Sequence, residues 1–369
     1  MCSGFRHDEI VRLCSIAAVT MPPAPPRFFA SDNFSPVHPA YLDALSVANP
    51  GHAFAYGGDP HTGRATELFR ELCDLDVEVL FTFGGTGANV VALACLLGRA
   101  ESVLCTNWSH IHVDETGAPE RFLGAKLADV PTHDAKLLPD HVHAAAGALG
   151  NVHHVQPGVV SITQATELGT LYTAAEISEL CDVAHSYGMR VHLDGARIAN
   201  AVAASGGTTE TFRALTFGAG VDAVSFGGTK NGMLNAECVL LRPGLADGRA
   251  GFLRKQAGQL PSKMRYSAAQ FEVALGTGLW LETAANANER AAELYGLLSD
   301  VESLRLRRPE VNSLYPTVAQ PARAALQDWC FFWDWDVPAD QVRWMTSWDT
   351  TSEDVQLFAA GVRFALRDQ

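Results

Sequence analysis

The sequence has no basic excess. Its 27 lysines and arginines stand against 41 aspartates and glutamates, a formal net charge of −14. Neutralising a nucleic-acid backbone takes a clustered excess of Lys and Arg, so no nucleic-acid partner is expected, and any small anionic ligand has to be held by a few local groups. C-x-x-C spacing is also missing. The eight cysteines, Cys2, Cys14, Cys73, Cys95, Cys105, Cys181, Cys238 and Cys330, are scattered and lie mostly inside apolar runs. They read as buried thiols of a reducing compartment rather than a disulfide or zinc framework, and no metal site is expected. No apolar run approaches the roughly 20 residues of a membrane-spanning helix. The first 27 residues place Asp8 and Glu9 ahead of a short apolar run, unlike a secretory leader. A cytoplasmic protein with no membrane partner is the expectation. Repeats and low-complexity tracts are absent as well.

What is present is a hydrophobic fraction of 47% and a charged fraction of 18% in 369 residues, enough for a substantial core in a chain too long for one ordinary core. From about residue 77, short apolar runs (VEVLFTF, SVLCT, VVSIT, RVHLD, AVSFGG, ECVLL) alternate with helical stretches. That alternation predicts an α/β fold with a mostly parallel sheet covered by helices. The clearest helix is TAAEISELCDVAHSYG at 173–188. Thr173 and Glu176 have capping-box spacing, Tyr172 and Ile177 the spacing of a hydrophobic staple, and Gly188 supplies the stop. Ile177, Leu180, Ala184 and Tyr187 recur on one expected buried face. After about residue 266 an Ala-rich helical stretch and short strand-like runs such as WCFFWDW point to a smaller C-terminal α+β domain. With MPPAPPR at 21–27 as a stiff connector, the expected division is a loosely attached extension at 1–27, a large domain at 28–276 and a small domain at 277–369.

Three segments fall at the carboxyl ends of predicted strands, where open α/β sheets bind ligands. FGGTGAN at 83–89 ends a strand and opens a helix; its glycines let backbone approach an anion in front of free helix N–H groups, although a tight connection alone would read the same way. HLDGAR at 192–197 delivers Asp194 to the sheet edge with Arg197 close behind, either as an ion pair or as a holder for a cationic ring nitrogen. AVSFGGTKNG at 223–232 ends its strand in Lys230, with glycines clearing the space around it. A phosphate cradle, a strand-end carboxylate and a strand-end lysine are together what pyridoxal 5'-phosphate requires: a Schiff-base amine, a partner for the ring nitrogen and an anion site.

These blocks occur with FASDN at 29–33, AYGGDP at 55–60, SHIHVDETGAP at 109–119, VVSITQATELGT at 159–170, RKQAGQLPSKMR at 254–265 and RWMTSWDT at 343–350. In that order, over roughly residues 28–365, the chain resembles the pyridoxal-phosphate-dependent threonine aldolases of the aspartate aminotransferase fold, particularly the bacterial low-specificity L-threonine aldolases. The resemblance implies that Lys230 carries the cofactor, that Asp194 partners its ring nitrogen, that Gly85 and Thr86 cradle its phosphate, and that His110 stacks on its ring. It implies that Ser31, Arg197 and Arg343 bind the substrate carboxylate, and that His153, beside His154, is a second histidine near the substrate hydroxyl. Tyr56 and Arg265 match positions that reach into a partner subunit's site, so the implied unit is a homo-oligomer, at least a dimer, with a tetramer expected. Two departures stand out: the extension before residue 28 has no counterpart, and Gly158 replaces a basic residue.

The implied reaction is retro-aldol cleavage of a β-hydroxy-α-amino acid to glycine and an aldehyde, with His110 or His153 as the base for the hydroxyl proton. β-Elimination, transamination or a preference for aryl serines on the same scaffold are the alternatives.

Overall fold

The structure is a computed structural model and describes residues 21–367. Each expected apolar run forms a strand: β1 Glu78–Thr82, β2 Glu101–Thr106, β4 Gln156–Thr163, β5 Arg190–Gly195, β6 Ala223–Gly227 and β7 Glu237–Leu241, joined by β3 Lys126–Val130. They make one seven-stranded sheet in the order β1-β7-β6-β5-β4-β2-β3. β3, β2, β4, β5 and β6 pair in parallel, and β7 runs against both β6 and β1. Hence β1, β2, β4, β5 and β6 all end on the same edge. β6 and β7 are buried at every position, as strands covered on both faces must be.

The helix Ala174–Ser186 has the expected start: Thr173 Oγ1 accepts the Glu176 N–H at 3.2 Å, and Glu176 Oε2 accepts the Thr173 N–H at 2.7 Å, a box contributing about 1 kcal/mol. Ile177, Leu180, Cys181 and Ala184 face the core. Tyr187 does not: it caps the helix end, 40% exposed, and bonds the His143 ring at 3.0 Å. The long helical stretch divides into Arg265–Thr277 and Leu279–Leu298 at Gly278, whose φ of +80° suits only glycine comfortably.

A second hydrophobic cluster gathers Phe29, Leu294, Leu326, Trp344 and Phe358 around a three-stranded sheet of β8 Ser313–Leu314, β9 Trp333–Asp336 and β10 Gln341–Met345, in the order β8-β10-β9. The helix Leu279–Leu298 serves both clusters, with Trp280 and Ala284 in the first and Ala291 and Leu298 in the second. The segment expected to be loosely attached is packed where it is described. Met21 lies against the second cluster, Trp329 Nε1 donates to the Pro22 carbonyl at 2.7 Å, and Arg27 pairs with Asp349 and Asp354 at 3.0 and 2.9 Å. Residues 1–20 of that extension, with Cys2 and Cys14, lie outside the described residues; the six other cysteines are buried and free. No described helix is long and apolar enough to cross a membrane. Gly158 has a local reason: a Cβ there would stand 2.2 Å from Glu101 Oε2.

Candidate active site

Because five strands end on one edge, the segments after them converge. Gly85, Thr86 and Asn89 after β1, His110 and Glu115 after β2, Thr163 and Glu167 at the end of β4, Asp194 and Arg197 from β5, and Lys230 after β6 line one cavity.

The helix Gly85–Leu96 opens at this cavity. Its N-cap, Gly84, has no side chain to accept the first-turn N–H groups, and a Cβ built at Gly84 or Gly85 would meet nothing within 4 Å. Unsatisfied helix N–H groups facing open space make an anion site. Gly87 is closed off, since a Cβ there would lie 2.2 Å from the Gln259 side chain, which accepts the Phe83 N–H at 3.1 Å.

Lys230 Nζ has no hydrogen-bond or ion-pair partner among the described residues. Burial and then the Arg197 charge lower its pKa, which favours the neutral amine that attacks a carbonyl. Asp194 accepts the Asn89 amide at 2.8 Å on Oδ2 and the Ala196 N–H at 3.0 Å on Oδ1. Burial alone would raise it, but the His110 charge, with the Ala196 N–H bond, prevails and holds its carboxyl below the usual range. A carboxylate of the kind that suits a cationic ring nitrogen therefore lines the cavity. His192, two residues back along β5, is bonded to Ser161 and Ser225 at 2.9 and 3.0 Å, and burial pushes it down to about 4.

Asn89 also donates to Glu115 Oε1 at 2.8 Å, and Glu115 Oε1 meets His110 Nδ1 at 2.9 Å. That bond, against the effect of burial, raises the His110 pKa. Arg197 clamps Asp32, with Nε to Oδ2 at 2.7 Å and Nη2 to Oδ1 at 2.9 Å. Burial opposes the Asp32 charge, but Arg197 outweighs it and keeps the carboxyl low. Two of the Arg197 donor nitrogens expected for a substrate carboxylate are thus engaged within the chain. Arg343 lies over the Trp335 ring at 4.7 Å, donates to the Ala30 carbonyl at 3.0 Å and leaves a buried Nε without a partner. Burial and the neighbouring Arg197 charge lower its pKa. Ser31 stands between Ala30 and Asp32 and accepts the Asn33 N–H at 3.2 Å.

Three expected site residues are elsewhere. His153 precedes β4, so it lies on the opposite edge of the sheet, beside Ser102, Lys126 and His154. A residue before a parallel strand cannot share an edge with one after it. Tyr56 is 55% exposed with φ of +58° beside Lys255, and Arg265 bonds the Gly51 carbonyl and the Tyr266 hydroxyl at 3.4 and 3.2 Å. Neither lines this chain's cavity. Conversely, sequence reasoning gives no role to Asp32, Asn89, Glu115 or Glu167, although they stand inside FASDN, FGGTGAN, SHIHVDETGAP and VVSITQATELGT.

The sequence profile of the beta-eliminating lyases matches residues 29–321. A low-specificity L-threonine aldolase of Pseudomonas sp. (strain NCIMB 10558) is 40% identical over 339 residues, 91% of this chain and 96% of that protein. The solved structure of a Leishmania major threonine aldolase superposes with a TM-score of 0.84 at 29% identity, covering 91% of this chain and 98% of that one. An aspartate aminotransferase of Rhodobacter sphaeroides shares the fold, with a TM-score of 0.68 at 18% identity over 95% of this chain and 96% of that one. With this sheet order, this strand-end lysine and carboxylate, and these likenesses over nearly the whole chain, the protein belongs to the beta-eliminating lyase family, among the relatives of the low-specificity L-threonine aldolases.

Proposed function

We propose that the chain is a pyridoxal-phosphate-dependent aldehyde-lyase that cleaves L-threonine, L-allo-threonine and related β-hydroxy-α-amino acids to glycine and an aldehyde. The observation that carries this reading is the convergence of Lys230, Asp194 and the uncapped helix start at Gly85 on one cavity. An unpartnered amine, an ionised carboxylate and an open cradle of N–H groups fit the cofactor's aldehyde, ring nitrogen and phosphate. Pyridoxal phosphate, when bound, supplies a protonated ring that takes up the electron pair released at Cα.

The chain's own residues do the rest. Lys230, its pKa lowered by burial and Arg197, would hold the cofactor and yield to the substrate amine. Asp194 would keep the ring nitrogen protonated, and Asn89 fixes the orientation of its carboxylate. Gly85, Thr86 and the first-turn N–H groups would take the phosphate, and His110, fixed by Glu115, would flank the ring. Arg343, with its free Nε, and Ser31 would receive the substrate carboxylate. Arg197, already paired with Asp32, would contribute its remaining Nη1. Tyr56 and Arg265 would complete the site of a partner subunit in a homo-oligomer, a tetramer of shared sites; the exposed aromatic rings of Phe54, Phe83 and Phe252 support burial of such a surface. The two hydrophobic clusters would correspond to a large cofactor domain and a small C-terminal domain, in a cytoplasmic enzyme.

The test is a panel of L-threonine, L-allo-threonine and an aryl serine incubated with the cofactor-loaded protein. Glycine and the matching aldehyde are expected. Ammonia with a 2-oxo acid, or amino transfer to a 2-oxo acid, without aldehyde would overturn the reading.

A further inference from the structure

Three polar atoms of residues around the cavity are buried without a partner: Asn89 Oδ1, Glu115 Oε2 and Glu167 Oε2. Leaving such an atom unpaired costs about 1–3 kcal/mol, and at a binding cavity a ligand group is what would complete it. Asn89 and Glu115 are committed to holding Asp194 and His110. Glu167 holds neither of those side chains. Its Oε1 accepts the His110 backbone N–H at 2.9 Å and the Thr163 hydroxyl at 2.8 Å, and its Oε2 is spare.

The residue is rigidly placed. Thr163 lies opposite Asp194 in the pairing of β4 with β5, the Tyr315 hydroxyl donates to the Glu167 carbonyl at 2.7 Å, and the turn is closed by Thr170 and Thr166. The ionisable groups facing it are Asp194 on β5, Cys105 on β2, Tyr172 and Tyr315, with Arg197 and Lys230 lining the same cavity. Burial, aided by the Asp194 charge and opposed by the Thr163 and His110 bonds, pushes the carboxyl up to about 7. A base is most effective when its conjugate acid titrates near the working pH. Of the two histidines expected for this task, His153 is on the far edge of the sheet, and the Nδ1 of His110 is taken up by Glu115 at 2.9 Å.

We propose that Glu167 is the base that takes the β-hydroxyl proton of the substrate, an assignment that rests on the aldolase reading. Oε2 accepts the proton, and the O–H electron pair becomes the second C–O bond of the departing aldehyde. The Cα–Cβ bond breaks, and the pair it leaves with the glycine fragment is met by a proton. The step is redox-neutral and consumes no co-reactant.

The test is Glu167→Gln, which keeps shape and removes the base. Cleavage of L-threonine should fall at least about 100-fold, the lower end for loss of a general base, and the rise of kcat/KM with pH through about 7 should disappear. Glycine has no hydroxyl, so its Cα proton should still exchange with deuterated water, followed by NMR, within about twofold of wild type, and the visible band of bound cofactor should persist. Cleavage retained within tenfold would overturn the assignment. So would parallel loss of glycine exchange or of the cofactor band, which would make Glu167 a structural residue. A wild-type protein that exchanges glycine but cleaves no β-hydroxy amino acid would overturn the aldolase reading itself.

Discussion

Asp32→Asn tests the internal clamp on Arg197. The two side chains are 2% and 16% exposed and meet through paired bonds of 2.7 and 2.9 Å. Removing one partner strands a buried guanidinium, at a cost of about 3–5 kcal/mol. With an unfolding entropy near 2.1 cal/mol/K per residue, the 369 residues give about 0.8 kcal/mol per degree, so the melting midpoint should fall by roughly 4–6 °C. The pH dependence has a definite sign. Asp32 is held below its ordinary value of 3.8, so its contribution is complete above 3.8 and is lost only as pH falls through the lower folded value. The gap between the two proteins should therefore be constant from neutral pH down to about 5 and close only in stronger acid. Replacing both partners by apolar residues, Asp32→Leu with Arg197→Met, should cost less than Asp32→Asn alone. The assay is calorimetry of the cofactor-loaded protein. A midpoint within about 1 °C of wild type, or a gap that closes above pH 5, would refute the buried pair.

Asp194→Asn should keep the fold and bind cofactor but lose turnover at least about 100-fold, the usual loss when a preorganised charge partner is removed; steady-state aldehyde release measures it. Arg343→Ala should raise the KM for L-threonine at least about tenfold, since a hydrogen bond to a charged group contributes about 1.5–3 kcal/mol, and should leave the visible cofactor band unchanged. Gly87→Ala should displace Gln259 from the Phe83 N–H. Loss of that bond, about 1 kcal/mol, should weaken cofactor binding roughly fivefold in a fluorescence titration.

Much of this architecture is legible in the sequence because it is local. A strand shows as an apolar run, and a parallel sheet places the residues just after each run on one edge, so Lys230, Asp194 and Gly85 group together from their positions alone. β3 escapes because KLADV is a half-exposed edge strand with Lys126 and Asp129 toward solvent. The Asp32–Arg197 pair spans 165 residues, and no spacing rule reaches that far. Asn89, Glu115 and Glu167 stand in recognisable motifs, but a side chain's role is set by what it touches. The displacement of His153 has a reason that the sequence does contain: it comes before its strand, whereas Lys230 comes after its own.

The most direct test is chemical. The cofactor-loaded protein is reduced with borohydride, digested, and the modified peptide located by mass spectrometry. The account predicts the reduced cofactor on Lys230, and no modified peptide from Lys230→Ala. Attachment to another lysine, or an undiminished modified peptide from that variant, would contradict it.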